Sequence, residues 1–360
     1  YNFALGAAGN VRPDSGAPAM PDTDLSPLLE ILPFEPTGAQ KRAFTDIAKD
    51  MSSERPMMRL VSGDVGSGKT AVAAAAAYIA VKNGYQCALM APTEILAMQH
   101  FNDLMPMFGR LGYGCRLLTG STKAAEKREI TAALADGTLK LVIGTHALIS
   151  EGIRFGKPGL VICDEQHRFG VGQRETLLEK ASPKGGHAHE LTMSATPIPR
   201  TLAMFLYGSI DMSVLDEMPP GRQKVKTFVV DESYRERLNG FIRRQHDEGH
   251  QTYVVCPAVE KPESGEVTQE DIRLIDFGDE EVSGKDELKA AATWSETLAE
   301  SLPDLRVGCV HGKMKPAEKD AVMREFAAGG LDVLVATTVI EVGVNVPNAT
   351  LMIIENAERF

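Results

Sequence analysis

The clearest chemistry in the chain sits in GDVGSGKT, Gly63 to Thr70, where a glycine-rich turn ends in a lysine and a hydroxyl. Gly63 and Gly68 tolerate backbone angles that side chains forbid, so the N–H groups running through Asp64, Val65, Gly66 and Ser67 can curl around an anion. At this spacing Lys69 reaches β- and γ-phosphates and Thr70 holds Mg²⁺, which implies a bound ATP or GTP. The flanks agree: MMRLVS (57 to 62) reads as a buried strand, and TAVAAAAAYIAVKNG (70 to 84) as an alanine-rich helix whose N-terminus faces the anion.

Hydrolysis also needs a carboxylate near the metal and a group that orients water. LVICDEQH supplies both at the end of an apolar run: Asp164 suits the metal's water shell, and Glu165 suits the attacking water. The same pair would serve as a helix cap, a reading that weakens downstream of a phosphate loop. His167, two residues on, is suited to relay nucleotide state to SATPIPR. Upstream, PFEPTGAQKRAF (33 to 44) sets Phe34 and Gln40 ahead of the loop. Phe34 can pack on a base and Gln40 can bond an adenine edge, although a core aromatic and a surface amide fit the same two residues.

Such groups need a scaffold to hold them, and the pattern provides one. Apolar runs at MMRLVS, CALMA (87 to 91), CRLLTG (115 to 120), LKLVIGT (139 to 145), LVICDE (160 to 165) and ELTMSAT (190 to 196) alternate with helical stretches. After a breaker at MPPGRQ (218 to 223) a second series follows: VKTFVV (225 to 230), TYVVCPAV (252 to 259), LRVGCVHG (305 to 312), LDVLVAT (331 to 337) and ATLMIIEN (349 to 356). This rhythm predicts an α/β fold of two domains, each a parallel sheet flanked by helices. The expected division is a flexible leader or linker at 1–33, rich in Gly and Pro, then a first domain at 34–222 and a second at 223–360.

Composition narrows the class. The chain has 360 residues, 43% of them hydrophobic, with no apolar run near the ~20 residues that span a bilayer and no secretory start, so a cytoplasmic location and no membrane partner are expected. The five cysteines are scattered through strand-like runs and read as buried thiols, with no structural metal expected. Net charge is −11, but residues 260 to 287 hold eleven acidic side chains against three basic ones. That insertion accounts for −8 and leaves −3 for the remainder, which permits a local basic groove.

The strings GDVGSGKT, MAPTEILAMQH, LTGS, GTHAL, DEQHRFGVGQR, SATPIPRTLA, HGKMKPAEK and ATTVIEVGVNVPNATLMIIENAERF together resemble superfamily-two helicases, and within them the motor core of the bacterial RecG branch-migration family. The likeness runs from about Phe34 to Phe360. It implies two tandem RecA-like domains, ATP with Mg²⁺ as cofactors, and branched or duplex DNA as partner, with replication or repair proteins beside it. On strand-end turns, Pro92, Thr93, Thr119, Gly120, Ser121, Thr145 and His146 in the first domain, and His311, Gly312, Thr337 and Thr338 in the second, are implied to hold DNA phosphates without reading sequence. Gln166, His167, Ser194, Ala195 and Thr196 are implied to couple ATP state to DNA grip. Glu341 and Gly343 are implied to approach the nucleotide from the second domain.

The family also has a wedge domain before the motor, and an arginine-bearing motif and translocation hairpin after it; none is expected within these 360 residues. The second domain is therefore expected to be incomplete at its C-terminal side. With no arginine finger, an effect on the order of 10³ to 10⁵ in rate, the chain is expected to bind nucleotide and, weakly, DNA, with very low turnover. Asn345 stands where the family pattern GVDVP has Asp. The transcription-repair coupling factor, more typically DEEH, and chromatin-type remodellers share the motor. A nucleotide-gated module that clamps a protein belongs to another class, and lacks the steep salt dependence of a DNA grip.

Overall fold

The computed structural model describes residues 16–164, 171–182, 186–195, 210–219, 225–257, 284–312, 314–337 and 346–359. The chain divides into two compact units, Tyr1–Lys224 and Val225–Phe360.

The first unit is built on seven strands, β1 (Met58–Gly63), β2 (Gln86–Met90), β3 (Cys115–Leu118), β4 (Leu141–Gly144), β5 (Pro158–Asp164), β6 (His189–Ser194) and β7 (Asp211–Leu215). Their order is β3-β4-β2-β5-β6-β1-β7, with every pairing parallel. Around them lie α1 (Ser26–Leu29), α2 (Gly38–Met51), α3 (Lys69–Lys82), α4 (Glu94–Arg110), α5 (Ala124–Ala135) and α6 (Val171–Lys180). Strands β2 and β5 are buried at every residue, as expected for a parallel sheet covered on both faces. Helix α3 is likewise buried at every position from Ala71 to Val81. Its alanines explain this: a helix apolar all round belongs in the interior, and small side chains let it lie close to the sheet.

Two sequence expectations fail in this unit. Residues 16–33 do not form a loose leader. Met20 and Leu28 are fully buried, the N–H groups of Ala17 and Met20 donate to the carbonyls of Glu54 and Met51, and Lys82 pairs with Asp22 at 2.7 Å. A few spaced apolar anchors hold a segment whose proline-rich composition reads as linker. Strand β7 went unread because its run, DMSVL, is short and lies at the sheet edge, where polar residues alternate with apolar ones.

The second unit holds β8 (Gln251–Cys256), β9 (Val307–Val310), β10 (Val333–Thr337) and β11 (Ala349–Ile354), a parallel sheet in the order β11-β8-β10-β9. Helices α7 (Arg235–Asp247), α8 (Gly284–Ser301) and α9 (Pro316–Ala327) accompany it. Its core joins Ile242, Val254, Cys256, Leu298, Leu302 and Val335. VKTFVV is not a strand: residues 225–230 carry no ladder, and Val229 is fully exposed. An alternating pattern makes a strand only where a neighbour supplies the ladder, and none does so among the described residues. The acidic stretch lies outside them up to residue 283.

The two units share a device. Gln86, at the start of β2, donates through Nε2 to the carbonyls of Leu134, in the last turn of α5, and Leu139, just before β4. Gln251, at the start of β8, donates in the same way to Phe326, in the last turn of α9, and Leu331, just before β10. Each glutamine adds a side-chain donor to one carbonyl at a helix end and one at the approach to the following strand. Each thereby fixes where the next strand begins.

Candidate nucleotide site and its neighbouring strand ends

The phosphate loop leaves the carboxyl end of β1. Gly66 and Gly68 take left-handed φ angles of 78° and 86°, and a Cβ on Gly68 would run into the Gln40 amide. A Cβ on Gly63 would lie 2.6 Å from Ser67 Oγ and 2.8 Å from Leu215 Cβ. All three positions therefore exclude side chains. Helix α3 begins with no side-chain cap, so its first N–H groups face the loop. Lys69 Nζ donates to the carbonyls of Gly63 (2.7 Å) and Asp64 (3.1 Å), while Ser67 Oγ is buried with no partner among the described residues. Donors, an orphaned hydroxyl and a lysine converging on a turn that only glycine can form fit a nucleotide's phosphates. Asp64 and Val65 are exposed at the loop's tip, and Thr70 is half-buried.

Gln40 is neither a surface amide nor open to solvent. It is fully buried, donates from Nε2 to the Ser67 carbonyl at 2.9 Å, and accepts through Oε1 from the Thr37 N–H at 3.0 Å in a capping box. Its amide thus ties the start of α2 to the phosphate loop. Phe34, at 42% exposure, is no core aromatic.

Asp164 ends β5 and is buried. Its Oδ2 lies 2.7 Å from Nε2 of His100, on α4. The sequence reading missed this histidine, which lies 64 residues away within MAPTEILAMQH; only folding reveals the pairing. Between Asp164 and the loop runs β6, where Met193 pairs with Asp164 on one side and Ser194 with Ser62 on the other. Ser194 is buried and Ala195 half-buried. Glu165, Gln166, His167, Thr196, Thr338, Glu341 and Gly343 lie outside the described residues.

The remaining turns differ from expectation in their hydroxyls. Thr119, Thr145 and Thr337 are buried, and among the described residues the hydroxyls of Thr145 and Thr337 have no partner. Thr93 caps α4 by accepting from the Leu96 N–H at 3.3 Å. Side chains in these positions shape their turns, which leaves exposed Gly120, Ser121 and His146 and half-buried Pro92, His311 and Gly312 as the outward groups. Ser121 is itself engaged: its N–H and Oγ donate to the two carboxylate oxygens of Glu94, at 3.0 and 2.6 Å. Four of the five cysteines are buried, as expected, and burial pushes the Cys115 thiol up to about 12.

Sheet order sorts these residues in a way that chain order hides. The turns after β3, β4 and β2, which are neighbours, carry Thr119 to Ser121, Thr145 with His146, and Pro92 with Thr93. The ends of β5, β6 and β1, also neighbours, carry Asp164, Ser194 with Ala195, and the phosphate loop. All six lie at the carboxyl edge of one parallel sheet, where ligands of open α/β folds bind.

The DEAD/DEAH box helicase model matches residues 37–205, and the helicase conserved C-terminal domain model matches residues 281–359. The ATP-dependent DNA helicase RecG of Escherichia coli (strain K12) is 50% identical over 342 residues, 94% of this chain and 46% of that protein. This chain carries a superfamily-two helicase core of the RecG type. RecG of Bacillus subtilis (strain 168) is 44% identical over 337 residues, again 94% of the chain and 46% of the relative. A solved structure of RecG bound to a three-way DNA junction superposes with a TM-score of 0.80 at 39% identity, covering 99% of this chain and 44% of that one. The chain therefore spans about half the length of the RecG proteins it matches. Its two parallel-sheet units are the tandem RecA-like domains of this helicase class. No helix among the described residues is long and apolar enough to cross a membrane.

Proposed function

We propose that this chain is the ATP-driven motor of a RecG-like DNA helicase and translocase, acting on branched or duplex DNA in branch migration and fork reversal during recombination and repair, in the bacterial cytoplasm. The observation that carries the reading is the grouping of nucleotide residues and DNA turns on adjacent strands of one sheet edge. Residues 34–222 form the ATP-binding domain and residues 223–360 its partner.

Mg²⁺, when bound, neutralises charge between the β- and γ-phosphates. The loop amides and Lys69 would bind those phosphates, Thr70 and Asp164 would hold the ion and its water, and Glu165 would orient the attacking water. Phe34 borders the base and the buried Gln40 braces the phosphate loop, while Glu341 and Gly343 contribute to nucleotide binding. The turns carrying Pro92, Gly120, Ser121, His146, His311 and Gly312 hold DNA phosphates, and the buried threonines shape them. Gln166, His167, Ser194, Ala195 and Thr196 carry nucleotide state to the DNA turns. Support for this last role comes from β6, whose register touches Ser62 and Asp164 at once.

Lys69→Ala tests the nucleotide site. Titration with a fluorescent ATP analogue is expected to show affinity falling at least tenfold, with duplex binding in the absence of nucleotide retained. Unchanged affinity would refute the loop's role.

A further inference from the structure

The contact between His100 and Asp164 is of a kind that packing does not require. Both side chains are buried, at 5% and 7% exposure, and they meet at 2.7 Å across 64 residues of chain. Among the described residues the Asp164 carboxylate has no other side-chain partner, and His100 Nδ1 is buried with none. A buried carboxylate demands a donor, since water no longer supplies one. Nε2–H of His100 provides it on Oδ2 alone. Oδ1 is left without a side-chain partner at the strand end, next to β6 and beyond it the phosphate loop.

We propose that His100 is a positioning residue for Asp164: by holding Oδ2 it fixes the carboxylate's orientation and reserves Oδ1 for the Mg²⁺ that accompanies the nucleotide. This rests on the reading of Asp164 as the carboxylate of the metal's water shell. Hydrogen bonds to a ligating carboxylate orient it, and their loss typically costs about 10- to 100-fold in metal affinity or activity. His100 is well placed to act this way, because α4 starts at the turn after β2 and β2 is the immediate neighbour of β5. The helix thus links a turn proposed to meet DNA with the carboxylate proposed to meet the metal.

The test uses the full chain and a fluorescent ATP analogue, titrated in EDTA and again across a range of Mg²⁺ concentrations. His100→Met fills the same space without a donor and is expected to raise the Mg²⁺ midpoint about tenfold or more, leaving affinity in EDTA unchanged. His100→Gln, whose amide nitrogen reaches about as far as Nε2, is expected to restore the wild-type midpoint. His100→Asn, one carbon shorter, is expected to behave like the methionine variant and provides the comparison if that variant does not fold. A wild-type midpoint in the Met or Asn variant would overturn the proposal while leaving the nucleotide site intact. So would a Gln variant no better than Asn. Nucleotide binding by the wild-type chain that is indifferent to Mg²⁺ would instead remove the role of Asp164, and that of His100 with it.

Discussion

Ser121 and Glu94 show how a side chain can occupy the donors that a ligand needs. Both oxygens of the Glu94 carboxylate accept from Ser121, through its N–H and its Oγ. On the proposed reading those are donors to a DNA phosphate, so Glu94 competes with DNA for them and adds a negative charge beside it. Glu94→Gln is therefore expected to tighten duplex binding a few-fold in a fluorescence anisotropy titration at fixed salt. Weaker binding would mean that the carboxylate shapes the turn DNA needs. The phosphate loop was legible residue by residue, because its pattern is a local consequence of glycine's conformational freedom and lysine's reach. Glu94 and His100 were not, because each acts through a partner that only the fold brings near. The buried hydroxyls of Thr145 and Thr337 illustrate the same limit from the other side. Sequence gives a residue's type and its turn, while burial decides whether the side chain or the backbone faces out.

The segment 16–29 is a strap to which one histidine adds a pH-sensitive tie. His189 Nδ1 accepts from the Met57 N–H at 3.0 Å, and its Nε2–H donates to the Pro18 carbonyl at 2.9 Å, so only the neutral ring satisfies both. Burial holds its pKa below the ordinary 6.5, outweighing the opposing effect of the Pro18 carbonyl. With the strap released or the unit unfolded, the ring takes up a proton near pH 6.5 that the docked state refuses. The stabilisation is therefore complete above pH 6.5 and is lost as pH falls toward the depressed value. Limited proteolysis within residues 16–33 is expected to accelerate between pH 7 and pH 5, and His189→Asn to flatten that dependence. A rate indifferent to pH would contradict the strap. Most other elements were readable in the sequence, since parallel strands buried on both faces appear as continuous apolar runs. Those that were not, β7 and the unladdered 225–230, lie where pairing partners decide the outcome.

At the scale of the molecule, two units repeat one arrangement. Gln86 and Gln251 clamp equivalent helix ends and strand starts, and Thr145 and Thr337 sit at equivalent strand ends with buried hydroxyls that lack a partner among the described residues. The tandem organisation was legible from alternating runs on either side of the breaker at 218 to 223. The grouping of turns was not, because neighbours in the sheet are distant in the chain, and β2 lies between β4 and β5. On the proposed reading, nucleotide at the ends of β1 and β5 alters the grip of the turns after β2, β3 and β4. Coupling of this kind is reciprocal and is typically about 5- to 150-fold in affinity. The most direct measurement is the affinity of the full chain for a three-way DNA junction, with and without a non-hydrolysable ATP analogue and Mg²⁺, in the wild type and in Lys69→Ala. The account predicts that nucleotide shifts junction affinity at least five-fold in the wild type and leaves Lys69→Ala unmoved. Junction binding that ignores nucleotide in the wild type would contradict it.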